Sequence, residues 1–418
     1  LTPRPYQLLG RDFLASRTHA LLADGMRVGK TPQAILAADK VAAARVLVLC
    51  PAVACEHWRR EWIRWSPLRG HVHVLGSSYP QQRGVLIASY DRARRNFAAL
   101  CQPWDLIIAD ECHYAKNPEA ARTKMVYGKK GLGWHAKRMW VLSGTPAPRH
   151  AGELWPMLRA FGATGLGYED FVEQFCYSNP YTERILGTRE ERMPEVRAML
   201  APVMLRRTIA DVAPELPGIS YELMQVAPRV TASMKAAQCD APTDPDALAA
   251  WLEEHAEHLA EWRIEVALAK AEPLCADIVN SLDARLYEQT VVFGHHTDPL
   301  RAVHDMLAVD GVRVALLTGQ TPAAERSAIR DRFALGLLDV VVANITAAGT
   351  AIDLSAASHG YFLEQSWVPG DNVQAAHRLV SLDKAAPVTY DIVSWSGSFD
   401  DKIQSVLARR SRELSNLM

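Results

Sequence analysis

Residues Gly29-Lys30-Thr31 follow the apolar run "HALLAD" and lead directly into "KTPQAILAADKVAAA", a stretch with helical spacing. A strand, a glycine turn and a helix opening at Lys-Thr form a cradle for phosphate, because the turn's N–H groups and the helix N-terminus face the anion. Gly29 allows close backbone approach, Lys30 would reach the β- and γ-phosphates of a nucleotide, and the Thr31 hydroxyl would bind Mg²⁺. Taken alone, the same three residues could be ordinary surface sequence with a solvated lysine. Further along, "DLIIADECHYAKN" ends an apolar run in Asp110-Glu111-Cys112-His113. A carboxylate at a buried strand end beside a phosphate loop is where Mg²⁺ is held. Asp110 would hold the metal through water, and Glu111 would orient and deprotonate an attacking water. A polar strand end capping the next helix explains the second stretch alone, but not the ordered pair of stretches.

Such residues need strand ends held side by side, and the chain offers them. In its first half, "HALLAD", "RVLVLCP", "VLIASY", "DLIIAD" and "RMWVLSGTP" have the length and unbroken hydrophobicity of strands buried on both faces. "TVVFGHH", "RVALLTG", "DVVVANI", "GYFLEQS" and "PVTYDIV" repeat the pattern in the second half, with helical stretches between. This alternation predicts an α/β protein of two doubly wound parallel-sheet domains. The first is expected over 1–208. A linker is expected over 209–222, where Pro214, Pro217 and Gly218 break helical periodicity. The second is expected over 223–418, with an acidic helical segment near 240–272. A chain of 418 residues suits two cores. The formal net charge of −1 means that any polyanion site must be a local patch. Seven cysteines without a CxxC pair give neither a zinc ribbon nor a disulfide framework and suit a reducing compartment. No apolar run approaches a membrane span. A monomer without a stable protein partner is expected, in the cytoplasm of a bacterial or phage-infected cell or in a eukaryotic nucleus.

With these pieces in place, the sequence resembles the superfamily 2 helicases and, within them, the Swi/Snf (sucrose-nonfermenting) DNA translocases, over nearly the whole chain. "LTPRPYQLLGRDFL" is similar to the adenine-reading entry segment, with Gln7 at the matching glutamine. "LCPAVACEHWRREWIRW" resembles the next motif, whose chain lies along one nucleic-acid strand, and "IASYD" a short motif after it. "DECHYAKNPEAARTK" resembles the extended second motif, "LSGTPAPRHAGELWPML" motif III, and "VMLRRTIADVAPELP" the exit from the first lobe. "LTGQTPAAERSAIRDRF", "VVVANITAAGTAIDLSAAS" and "LEQSWVPGDNVQAAHRL" fall where motifs IV to VI belong. The spacing is compact, as in bacterial, phage and annealing-helicase members.

The resemblance implies two tandem RecA-like lobes that bind ATP and Mg²⁺ in the cleft between them and step along double-stranded DNA. It implies nucleotide contacts from Gly349 and Asp353 and a motif VI pair of Gln374 and Arg378, with Arg378 approaching the γ-phosphate. Ser143, Gly144 and Thr145 would couple nucleotide state to DNA grip. DNA phosphates would be met by Arg92, Arg94 and Arg95, by Lys116 and Asn117, and by Thr346. Arg206 and Arg207 would support lobe closure. An RNA or strand-separating helicase, and a nucleotide-gated DNA-binding module with a decayed motor, are the competing expectations.

The chain departs from the family pattern at identifiable points. Where members commonly read DEMGLGKT, it reads DGMRVGKT, with Gly25 for an acidic residue and Arg27 for a glycine. A side chain at Arg27 is tolerable if φ stays negative there, with its long stem pointing away from the nucleotide. Ser381 stands at the second arginine of motif VI, and Ala351 at a usual glycine of motif V. Trp58, Trp62 and Trp65 lie on one helical face, read as core packing. His295-His296 is read as a strand-end loop, Cys112 as a packed thiol, and "ARRSREL" near the C-terminus as a solvated helix end.

Overall fold

The computed structural model describes residues 2–66, 71–76, 84–179, 184–213, 218–227, 242, 251, 254–255, 257–348, 352–381, 384, 386–395 and 398. The chain divides into two compact units with the boundary between Pro214 and Glu215.

The first unit contains strands β1 (His19–Leu22), β2 (Arg45–Cys50), β3 (Val72–Val74), β4 (Gly84–Ser89), β5 (Leu106–Asp110), β6 (Met139–Leu142) and β9 (Met204–Leu205). They form one sheet in the order β3-β4-β2-β5-β6-β1-β9, parallel throughout. A small antiparallel hairpin, β7 (Cys176–Ser178) and β8 (Ile185–Thr188), stands apart from it. Alternate residues of a strand face opposite sides. Along β2, Val46, Val48 and Cys50 enter one apolar layer, while Leu47 and Leu49 enter the other. Both faces are therefore covered, which is why the strand sequences read as unbroken apolar runs. Leu22, Leu142 and Asp110 pair in register across β1, β6 and β5. The phosphate loop, the DECH segment and motif III thus leave the same carboxyl edge of the sheet, the edge where ligands bind in open α/β folds.

The second unit is a sheet of β10 (Ile219–Val226), β11 (Thr290–Gly294), β12 (Val314–Leu317), β13 (Val340–Asn344), β14 (His359–Phe362) and β15 (Val388–Trp395). Its order is β10-β15-β14-β11-β13-β12, again parallel. The long helix Leu259–Asp283 packs on this sheet and carries the buried Lys270. The Lys270 ammonium donates to the carbonyls of Leu363 and Val393, which satisfies a charge that burial would otherwise penalise.

All ten apolar runs read as strands are strands. The linker expected over 209–222 is interrupted: a short helix occupies Ile209–Val212, and β10 begins at Ile219 and pairs with β15. Pro214 and Pro217 lie outside the described residues, and Gly218 directly precedes β10. Of the helical segment expected near 240–272, residues 259–272 lie in the long helix. Most of 240–258 is outside the described residues, as are Gly349, Ala351 and "ARRSREL". Among the described residues, no helix is long and apolar enough to cross a membrane.

Candidate nucleotide site and nucleic-acid interface

Helix α2 (Lys30–Lys40) begins at Lys30, with Gly29 before it in the left-handed region at φ 82°. The left-handed backbone favours glycine here, and the Gly29 Cα faces Gln7, whose Nε2 a Cβ would approach to 2.6 Å. Gln7 is buried on α1 (Pro5–Ala15), and its Oε1 accepts the Arg4 N–H at 2.9 Å. The entry-segment glutamine and the loop glycine therefore meet. Lys30 Nζ donates to the carbonyls of Asp24 at 2.8 Å and Gly25 at 3.1 Å. Thr31 follows as the second residue of α2.

Arg27 does not meet the condition of a negative φ. Its φ is +63°, so it adopts the left-handed conformation that a glycine would take without cost. For a residue with a side chain this costs about 1–2 kcal/mol. Strain of this kind persists where surrounding structure over-determines the backbone, as it does in binding loops.

Across the edge, Asp110 ends β5 and Glu111 turns the chain with φ +52°, a second strained position in the same site. The Asp110 carboxylate accepts the Trp58 indole N–H at 2.7 Å and the Glu111 backbone N–H at 3.0 Å. Trp58 and Trp62 are fully buried on α3 (Cys55–Trp65), so the core reading holds. Trp58 nevertheless also orients a site carboxylate, a contact across sequence that spacing does not reveal. Ser143, fully buried, donates to Glu111 Oε2 at 3.3 Å and accepts the Thr145 N–H at 3.2 Å. His113 Nδ1 lies 3.4 Å from both Ser143 Oγ and Glu111 Oε2. A Cβ on Gly144 would meet Met26 Cε at 3.0 Å and Lys30 Nζ at 3.4 Å. Motif III thus lies against the phosphate loop on one side and the DECH glutamate on the other. His113 is the residue that sequence reasoning passed over, although DECH contains it.

In the second unit, Gln374 is buried on the helix Pro369–Ala376, and Arg378 follows that helix half-buried. The Arg378 carbonyl accepts the Leu354 N–H at 3.1 Å, so the end of motif V and the end of motif VI are held together. Asp353 is exposed and accepts the Ser355 N–H at 3.1 Å. Thr346 is exposed, with its hydroxyl bonded to Asn344 Oδ1 at 2.6 Å. His295-His296 does follow the end of β11. His296 Nδ1 lies 2.6 Å from the buried Glu364, which also accepts both histidine backbone N–H groups.

The sequence matches the SNF2-related domain over residues 6–231, more than half of the chain, and a helicase conserved C-terminal domain over residues 270–382. The chain belongs to the SNF2-related family. It is 28% identical over 98% of its length to the Xenopus laevis SWI/SNF-related matrix-associated actin-dependent regulator of chromatin subfamily A-like protein 1, of which it covers 43%. It is 24% identical over 98% of its length to the human DNA annealing helicase and endonuclease ZRANB3, of which it covers 40%. The SNF2-related chain therefore spans less than half the length of these relatives. The Pyrococcus furiosus Hef helicase domain superposes with a TM-score of 0.52 at 16% identity, covering 96% of this chain and 97% of that one. That likeness concerns the fold alone.

On the SNF2-related core, the candidate phosphate-contacting residues are unequal. Arg92, Arg94 and Arg95 are exposed on the short helix Tyr90–Arg95, but Arg92 also donates to the Leu75 carbonyl at 2.6 Å. Arg94 and Arg95 have no ion-pair partner among the described residues. Asn117 is exposed and accepts the Glu119 N–H at 2.9 Å. Lys116 is instead held at 2.7 Å by the buried Glu153, which ties the DECH segment to motif III. Arg206 is half-buried, and Arg207 turns inward to Asp24 within the first unit.

Asp110 also sets a pH dependence. Burial, and then the neighbouring Glu111 charge, push its carboxyl up to about 7, against the opposing effects of the Trp58 bond and Lys30. The Asp110 carboxylate and the Thr31 hydroxyl on α2 are oxygen donors of the kind that Mg²⁺ takes. In the free protein, the raised value means that the stabilising contribution is complete below the unfolded carboxylate range and is lost as pH rises through about 7. A cation bound at Asp110 has to displace that proton at low pH only. The dissociation constant of Mg²⁺-nucleotide is therefore expected to fall about tenfold between pH 6 and pH 8. Titration calorimetry against Asp110→Asn checks this, because the nucleotide's own phosphate titrates in both proteins. Equal pH profiles for the two would contradict it.

Proposed function

We propose that this chain is an ATP-driven translocase on double-stranded DNA. The observation that carries the reading is the grouping, at one sheet edge, of Gln7 over Gly29, Lys30 beside Gly144, and Glu111 bonded to Ser143. Lys30 would bind the β- and γ-phosphates over the α2 N-terminus, and Gln7 would read adenine. Thr31 and Asp110 would hold Mg²⁺, which offsets phosphate charge when bound. Glu111 would take the proton of the attacking water, with Ser143 and His113 reporting the carboxylate's state to motif III. Arg378 would meet the charge that develops on the transferred phosphoryl group. Arg94, Arg95, Asn117 and Thr346 offer exposed groups for DNA phosphates, which position a protein on DNA without reading sequence. Fork remodelling, reannealing and displacement of bound protein are the tasks such a motor would serve.

Steady-state ATP turnover with and without linear duplex, at low salt because phosphate contacts weaken as salt rises, tests the reading. Stimulation by duplex, exceeding that by single strands or RNA and absent in Lys30→Ala, is expected. Stimulation by RNA or single strands in preference would make it a different helicase. Nucleotide binding without turnover would make it a gated binding module.

A further inference from the structure

Arg207 lies near the end of the first lobe in sequence but beside the phosphate loop in space. β9, two residues before it, pairs with β1, the strand that leads into the loop. The ladder continues past the strands: the Ala23 N–H donates to Leu205 O and the Gly25 N–H to Arg207 O, each at 2.7 Å. The Arg207 side chain then turns back across this ladder. Nε donates to Asp24 Oδ1 at 3.0 Å and Nη2 to Asp24 Oδ2 at 2.5 Å, a two-pronged pair with a carboxylate that is fully buried. Nη2 also reaches Gln33 Oε1 on α2 at 2.8 Å, and Nη1 reaches the carbonyl of Tyr6, next to Gln7 on α1, at 2.7 Å. Gln33 Nε2 closes the network on Asp24 Oδ2 and on the Gly29 carbonyl, both at 3.1 Å.

α1 carries a glycine at its centre to admit this arrangement. A Cβ on Gly10 would fall 1.7 Å from Gln33 Oε1 and 2.9 Å from Arg207 Nη2. Glycine inside a helix costs about 1 kcal/mol against alanine, and here the space it leaves is filled by the network. One guanidinium therefore touches the entry helix, the residue that opens the phosphate loop and the helix that follows it. Its own backbone belongs to the segment through which the chain leaves the lobe, and Thr208 directly caps the helix Ile209–Val212.

We propose that Arg207 is a positioning residue for the nucleotide site, fixing the phosphate loop against Gln7 and tying it to the exit segment of the first lobe. This rests on the reading of Gly29-Lys30-Thr31 as the nucleotide loop. It differs from a role in lobe closure, because every contact named lies within the first unit. Nucleotide bound at Lys30 then bears on residues 203–208 through Asp24 and Gly25.

The test compares Arg207→Gln, the double variant Asp24→Asn/Arg207→Gln and Lys30→Ala, each checked for a cooperative melt. Arg207→Gln leaves Asp24 charged and buried without its partner and can fail to fold. The double variant leaves no unpaired charge, so it decides the question. We expect it to melt near the parent temperature yet to show a KM for ATP raised about tenfold or more, the scale of effect from slight misplacement of a binding group. We also expect ADP to protect the backbone amides of residues 203–208 from hydrogen exchange in the parent but not in the double variant. A purely structural role would move neither KM nor that protection once folding is restored. A double variant with parental KM and parental protection overturns the proposal. Undiminished turnover in Lys30→Ala would instead overturn the nucleotide-loop reading itself, so the two failures are distinguishable.

Discussion

Glu111→Gln is expected to lower DNA-stimulated ATP turnover by about 10²–10⁴-fold, the range that a positioned general base contributes. Its binding of Mg²⁺-nucleotide should be no weaker than in the parent. The asymmetry follows from geometry. Glu111 sits at a left-handed backbone position with its carboxylate on Ser143 and His113, while the Asp110 carboxylate is held by the Trp58 indole and the Glu111 backbone N–H. Its charge is one of the two causes that push the Asp110 carboxyl up, so removing it frees Asp110 to ionise at lower pH. Stopped-flow nucleotide binding together with steady-state turnover separates the two effects. Loss of binding in step with turnover would mean that Glu111 is a structural or metal-holding group.

Arg378→Ala is expected to have an effect at least as large, about 10³-fold or more in turnover, the range that an arginine finger supplies to phosphoryl transfer. ATP binding to the first lobe should persist, because Lys30, Gln7 and Gly29 are untouched. The helix Pro369–Ala376 and the backbone bond from Leu354 to the Arg378 carbonyl do not need the side chain, so the variant should fold. Ser381→Arg is the informative companion, since it restores the second arginine of the family pattern. If Arg378 suffices, it changes turnover little; a large gain would identify Ser381 as the limiting departure. Parental turnover in Arg378→Ala would remove it from the chemistry.

The sheets were legible because both faces of each central strand are covered, which writes an unbroken apolar run into the sequence. β9 and β10 were not. β10 is an edge strand with mostly exposed residues, so "ISYELMQV" carries no such run and its Pro-Gly approach reads as linker. β9 has two residues and takes its meaning from β1, far away in sequence. Within the site, glycine, lysine and carboxylate spacing gave the phosphate loop and DECH. It could not give the backbone of Arg27, because residue type limits φ without setting it. Nor could it give Trp58 on Asp110, Lys116 on Glu153 or Arg207 on Asp24, because each pair joins distant segments that only the folded sheet brings together.

The measurement that bears most directly on the motor is displacement of a third strand from a triplex formed on linear duplex. A protein that moves along double-stranded DNA with ATP strips the third strand as it passes, whether or not it separates the duplex. Displacement that needs hydrolysable ATP and duplex flanking the triplex, and that disappears in Lys30→Ala and Glu111→Gln, is the result expected. ATP turnover stimulated by duplex with the triplex left intact would contradict translocation and leave a DNA-dependent ATPase that does not travel.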